Sequence, residues 1–317
     1  MKFLVTGASG FIGTHVIKEL HARGNDFVIL THRHAHPTPD LQHLANETNW
    51  VQGDIADVAF VDKTVSDHRP DVIINIAALM NFGCAQNPRR AVEINVLGLS
   101  NLLEAARKYD VKRVVNASSG TVYSHGKGDL NERRAISTDV PIYGACKFFN
   151  EVLCRQYTEN YGLETTNLRY FLVYGPGEAG SSIYAQEFKK IESIATGRTI
   201  TAQYFPANGA QEFLFVADAA HATVLAATVP GPLSVAYNIS GRPDDRVSMR
   251  EVVALIKKLA PGSGDVIFKL ESANNEALPP DISLAREQLG FEPRYSLEEG
   301  LRQCIDYLRQ HADTSHQ

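Results

Sequence analysis

Two short segments of this 317-residue chain place reactive groups at a fixed spacing. In Tyr143-Gly144-Ala145-Cys146-Lys147 a phenol and an ammonium stand four residues apart, so on a helix they share one face. Free tyrosine has a pKa near 10, too high for acid-base work at neutral pH, and each unit of lowering needs about 1.4 kcal/mol. A nearby ammonium is one way to supply it, so Lys147 is expected to favour the Tyr143 phenolate. The second segment, Gly7-Ala8-Ser9-Gly10-Phe11-Ile12-Gly13, follows an apolar run that ends at Thr6. Gly7 permits a tight turn, Gly10 lets backbone approach a phosphate, and Gly13 allows close helix packing. With Ser9, Phe11 and Ile12 they form the mouth of a helix whose N–H groups carry partial positive charge, a cradle for a dinucleotide pyrophosphate.

These segments need a scaffold, and the first half of the chain supplies its pattern. Short apolar runs at Phe3 to Val5, Phe27 to Leu30, Trp50 to Gln52, Val72 to Ile76, Arg113 to Ala117 and Thr165 to Phe171 read as strands. Helical patterns lie between them at Phe11 to Arg23, Pro88 to Tyr109 and Tyr143 to Tyr161. That alternation predicts an α/β, Rossmann-type doubly wound parallel sheet with its ligand at the carboxyl ends of the strands. After Tyr170 the pattern loosens into Gly-, Pro- and Ser-rich loops with shorter helices at Tyr184 to Thr196, Val216 to Ala227, Ser248 to Lys258 and Leu297 to Arg309. The expected division is a dinucleotide-binding domain of residues 1–171 plus 209–240 and a smaller α/β substrate lobe of 172–208 plus 241–317.

Composition narrows the partners. With 31 Lys and Arg against 36 Asp and Glu, the net charge of −5 leaves no basic field for nucleic acid or anionic lipid. No stretch approaches the roughly 18 apolar residues of a membrane span, and the opening apolar run falls short of the roughly 7 residues of a signal h-region. Cys84, Cys146, Cys154 and Cys304 lack CxxC pairing and read as buried thiols in a reducing compartment. A cytoplasmic protein is expected, with a small-molecule substrate and no nucleic acid or membrane partner. His32, His34 and His36 alternate without a carboxylate partner, so no metal site is expected.

The motifs together resemble the extended short-chain dehydrogenase/reductase family, also called the NAD-dependent epimerase/dehydratase family. Thr6 to Gly13, Gly53-Asp54-Ile55, Ala77-Ala78, Asn95, Ser119 to Tyr123, Tyr143 to Lys147 and Leu168 to Gly177 occur in that family's order. The resemblance implies that Tyr143 is the acid/base, that Lys147 also bonds the nicotinamide ribose, and that Ser119 holds the reacting oxygen, with Ser118 and Thr121 as alternates. It makes Asn95 a support of the active-site helices and Asp54 a contact of adenine. Ile55, Ala77, Ala78, Tyr170 and Val173 join the cofactor site by the same likeness.

For cofactor choice, Thr31 stands where NAD-using relatives carry Asp, and Arg33 would bond a 2'-phosphate bidentately. Thr31-x-Arg33 resembles NADP-dependent reductases of the dihydroflavonol type, so NADP is expected, with NAD possible. Family dehydratases carry Asp and Glu where this chain has Gly120 and Thr121. Epimerases have an asparagine at the position of Leu172 and an arginine at that of Gln211, and a later phosphate-gripping arginine has no clear counterpart between Glu271 and Asp281, with only Arg286 nearby. These departures favour an NADP-dependent reductase or dehydrogenase of a non-nucleotide carbonyl or hydroxyl compound. The alternative is a nucleotide-sugar 4-epimerase with tightly bound NAD. Met80, Phe82, Leu172, Tyr204 and Phe205 are candidates for a more apolar pocket. Phe149, Leu153 and Tyr157 suggest a buried stripe on a helix that many relatives pair in a homodimer.

Overall fold

The computed structural model describes residues 1–32, 39–44, 48–123, 130–134, 139–177, 197–272 and 278–312. In chain order the first half runs β1 (Lys2–Thr6), α1 (Phe11–Ala22), β2 (Asp26–Thr31), β3 (Asn49–Gln52), α2 (Val58–His68), β4 (Val72–Asn75), α3 (Asn81–Gln86), α4 (Pro88–Val92), α5 (Gly98–Lys108), β5 (Arg113–Ser119), α6 (Ile142–Tyr161) and β6 (Glu164–Tyr170). The second half adds β7 (Val173–Tyr174), β8 (Ile200–Asn208), β9 (Leu214–Phe215), α7 (Val216–Thr228), β10 (Ala236–Ile239), α8 (Met249–Leu259), β11 (Val266–Ser272), α9 (Ser283–Leu289) and α10 (Leu297–Ala312).

Among the described residues seven strands form one sheet in the order β10-β6-β5-β4-β1-β2-β3, every pair parallel. The expected parallel sheet is therefore present. The order in which successive strands are added reverses between β1 and β4, which opens a crevice beyond the carboxyl ends of those strands. Strand alternation feeds two cores. Phe3, Val5, Ile29 and Ile74 pack beneath α1 and α7, while Leu4, Val28, Leu30 and Ile73 pack beneath α2, α5 and α6. One polar row crosses the sheet as well. Thr6 Oγ1 donates to Asn75 at 2.6 Å, Asn75 to Asn116 at 2.9 Å, and Asn116 to Asn167 at 2.8 Å, in strand register. Each buried amide is satisfied by its neighbour, so the row bears no orphan and locks the register.

A third core lies outside this sheet. Tyr174, Phe213, Phe215, Met249, Val252, Ile256 and Leu301 gather where β7, β9, α8 and α10 meet, beside the parallel pair β8 and β11.

Several expectations change. The single helix predicted over Pro88 to Tyr109 is interrupted by a π-helical turn at Glu93–Leu97. The wider turn centres on Asn95, whose side chain accepts the Leu79 N–H at 2.7 Å and donates to the Leu79 carbonyl at 2.9 Å. Strand β10 and helices α2, α3 and α9 are not marked by the apolar pattern. The stripe on α6 splits, since Phe149 is 52% exposed while Leu153 and Tyr157 pack toward α5. The predicted helix Tyr184 to Thr196 lies outside the described residues, as do Arg33, His34 and His36 and the side chains of Tyr204 and Phe205.

Candidate active site

The glycine-rich turn sits at the carboxyl end of β1, at the reversal point of the sheet. Gly7 has φ +64°, and a Cβ there would lie 2.7 Å from the Ala77 nitrogen. Only glycine fits this left-handed corner, which seats β1 against the end of β4 at Ala77-Ala78. Gly10 caps α1 without a side-chain hydrogen bond, and Phe11, Ile12 and Gly13 form the first turn. Ser9 Oγ and Thr31 Oγ1 are 2.8 Å apart, which joins the cradle to the end of β2. Behind the first turn, His15 Nε2 meets the Pro176 carbonyl at 3.1 Å. Burial pushes the His15 pKa down to about 4, so the ring is neutral and donates from Nε2. The residues present fit a dinucleotide: a helix mouth without a side-chain cap, approached by a turn that tolerates no Cβ.

At the adenosine side, past β3, Asp54 accepts the Ala56 N–H at 2.9 Å and is ion-paired with Arg90 of α4. Its carboxyl is held below its ordinary value despite desolvation, because the Ala56 N–H and the Arg90 guanidinium both favour the charged form. His32 Nε2 lies 3.9 Å away. Arg90 carries no sequence signal, since 36 residues separate it from Asp54. Ile55 lies buried against Gly98 at the start of α5.

The candidate proton-transfer group gathers two segments. Ser119 ends β5 and accepts from Thr121 N at 3.2 Å and Thr121 Oγ1 at 3.0 Å. Tyr143, in the first turn of α6, lies near enough to Ser119 for that hydroxyl to favour the phenolate. Their approach depends on Gly144, where a Cβ would sit 2.4 Å from the Thr121 carbonyl oxygen. Lys147, 1% exposed, donates to the Ala117 carbonyl at 2.5 Å and stands 5.5 Å from the Tyr143 ring centre.

The charge states differ from expectation. Burial raises the Tyr143 pKa well above the ordinary phenol, with Cys84 adding to it and the Ser119 hydroxyl opposing it. Burial also lowers Lys147 to about 8, against the opposing influence of Cys146, Cys84 and Glu151. Lys147 donates to the Ala117 carbonyl and lies 5.5 Å from the Tyr143 ring centre, and burial is the largest influence on the phenol. In the protein alone Tyr143 is a protonated phenol.

Asn95 stands one layer back. It clasps Leu79, donates to Cys84 Sγ at 3.4 Å, and its carbonyl accepts from Asn150 of α6 at 2.8 Å. Tyr170 turns from the crevice, its hydroxyl paired with Thr223 of α7 at 2.7 Å, and Val173 packs partly buried beside the first core. Leu172 joins the third core, and Phe82 is 47% exposed. Gln211 pairs antiparallel with Val247, bringing Arg246 to 3.7 Å from the buried Glu212. All four cysteines are buried and unbridged, and among the described residues no cluster of metal-ligating side chains occurs. No helix described is long and apolar enough to cross a membrane.

Known proteins share this fold. The profile of the NAD dependent epimerase/dehydratase family matches residues 3–240. A putative UDP-glucose 4-epimerase of Methanocaldococcus jannaschii is 30% identical over 316 residues, covering 96% of this chain and 98% of that protein. The crystal structure of UDP-glucose 4-epimerase with UDP-glucose from Thermotoga maritima superposes with a TM-score of 0.85 at 25% identity, covering 98% of this chain and all of that one. UDP-glucuronic acid 4-epimerase from Bacillus cereus, solved with UDP-glucuronic acid and NAD, gives 0.82 at 26% identity over 98% of this chain and 99% of its own. The Bacillus cereus enzyme is solved with NAD, and none of the three is described as an NADP-dependent reductase, the expected activity. With glycine turn, parallel sheet and full-length likeness in agreement, the chain belongs to the NAD dependent epimerase/dehydratase family.

Proposed function

We propose that this protein is a nucleotide-sugar 4-epimerase working with NAD. The observation that carries the reading is the grouping of buried Tyr143 and Lys147 on one face of α6 beside Ser119, at the strand ends that also carry the glycine cradle. The likeness to UDP-sugar 4-epimerases along nearly the whole chain supports it. A bound nicotinamide supplies reversible hydride acceptance. Gly7, Ser9, Gly10, Phe11, Ile12 and Gly13 hold the pyrophosphate, and Thr31, Asp54 and Ile55 the adenosine end. Ala77, Ala78 and Val173 line the crevice walls, while Tyr170 contributes backbone only. Ser119 fixes the sugar oxygen, Tyr143 moves the proton at that oxygen, and Lys147 orients ribose and phenol; Asn95 braces Leu79 and α6. Residues 1–171 plus 209–240 form the dinucleotide domain and the remainder the substrate lobe. Exposed Val92, Leu97 and Phe149 on the neighbouring α4–α6 helices favour a homodimer.

Gln211 argues for a substrate without a diphosphate, since a charge-assisted contact contributes about 1.5–3 kcal/mol. Arg246 weakens that objection, because it brings a guanidinium to the same corner, past the end of β10. Incubation with NAD and UDP-glucose, UDP-galactose or UDP-glucuronate, followed by NMR, should reveal the 4-epimer. No conversion, together with NADPH oxidation by a simple carbonyl compound, would restore the reductase reading.

A further inference from the structure

Glu151 and Arg169 are 3% and 4% exposed, yet they form an ion pair. Arg169 Nε and Nη2 donate to Glu151 Oε1 and Oε2 at 2.9 and 2.6 Å, and Ser118 Oγ donates to Oε1 at 2.6 Å. The remaining guanidinium edge donates to the Tyr123 hydroxyl at 2.6 Å, which in turn donates to Asn238 of β10 at 2.8 Å. An apolar pair would fill this volume without the desolvation penalty of two buried charges, so packing alone does not call for ions here. What a bidentate fork adds is geometry, since it fixes translation and rotation together.

The elements it fixes are those that carry the reaction. Glu151 lies one helical turn beyond Lys147 and two beyond Tyr143, on the same face of α6. Arg169 is the register partner of Ser118, the residue before Ser119. We propose that the Glu151–Arg169 pair is a positioning device for proton transfer: it sets α6 against β5 and β6 so that Tyr143 meets Ser119 and Lys147 meets the Ala117 carbonyl. Both partners act through other residues and touch no substrate. The groups facing Lys147 are Tyr143, Cys146 and Glu151 on its own helix and Cys84 on α3. Glu151 therefore also supports the charge on Lys147, which burial depresses.

The test rests on the epimerase reading for its rate assay and keeps one readout outside it. In the paired variant Glu151→Met with Arg169→Met, neither charge is left unpartnered. Turnover per dinucleotide-binding site should fall about 10- to 100-fold, with KM and dinucleotide affinity within about threefold, because small misplacement costs the chemical step rather than binding. A merely structural role would lower melting temperature and binding stoichiometry but leave turnover per site unchanged, which overturns the proposal. If the native protein converts no nucleotide sugar, the epimerase reading fails, and titration of Lys147 by NMR of 13Cε-labelled lysine decides alone. Movement of that titration in Arg169→Lys, which keeps both charges but loses the bidentate fork, supports the positioning role, and an unchanged titration overturns it.

Discussion

The two sides of the crevice are built differently. The proposed pyrophosphate cradle comes from seven consecutive residues, and its shape follows from one left-handed glycine and the start of one helix. The proton-transfer side draws on Ala117 to Thr121, Tyr143 to Lys147 and, behind them, Leu79 and Asn95. A contiguous site tolerates changes elsewhere, whereas an assembled one depends on every contact that sets its segments against each other. Binding and chemistry should therefore separate under mutation.

The sharpest break is Tyr143→Phe, which removes the proton carrier and leaves the cradle intact. Turnover should drop by about 10²–10⁴ with dinucleotide affinity near that of the native protein, measured by steady-state rates and calorimetric titration. Next is Gly144→Val, whose side chain must displace α6 from Thr121. Turnover should fall about 10²-fold while dinucleotide still binds, and an unchanged rate would show that the close approach is dispensable.

Gly7→Ala should invert the pattern. A left-handed alanine costs about 1–2 kcal/mol and its Cβ meets the Ala77 backbone, so dinucleotide affinity should weaken by roughly tenfold or more on that scale, read by fluorescence titration. The mildest effect is that of pH. Lys147 loses its proton as pH rises through about 8 in the folded chain, against 10.5 for an ordinary lysine. Activity that needs the ammonium should decline above pH 8. Over the same window the unfolded chain binds the extra proton, so the contribution of this group to stability grows as pH rises from about 8 toward 10.5. Opposite slopes of rate and melting temperature would sharpen the comparison, and parallel slopes would contradict it.

Much of the cradle was legible because glycine turns and helix starts are encoded within a few residues. Six strands of the parallel sheet were legible from alternating strands and helices, while β10, whose short run Ala236–Ile239 is hidden among loops, was not, and the spatial order came from the structure. Ser119, Tyr143 and Lys147 were legible as types, but not their charge states. Lys147 next to a tyrosine suggests a lowered phenol pKa, yet burial of both groups decides otherwise. Arg90 beside Asp54 and Arg246 beside Glu212 were not legible, since nothing in their neighbourhoods marks the partner.

By itself the sequence determined the local conformations: where the chain must turn, which residues face inward, and which side chains are reactive. These follow from backbone sterics and hydrophobic period, both short-range. Tertiary structure alone decided the distances between segments and the desolvation each reactive group suffers. Both depend on the packing of elements far apart in the chain, and it is desolvation that sets how readily Tyr143 and Lys147 exchange protons.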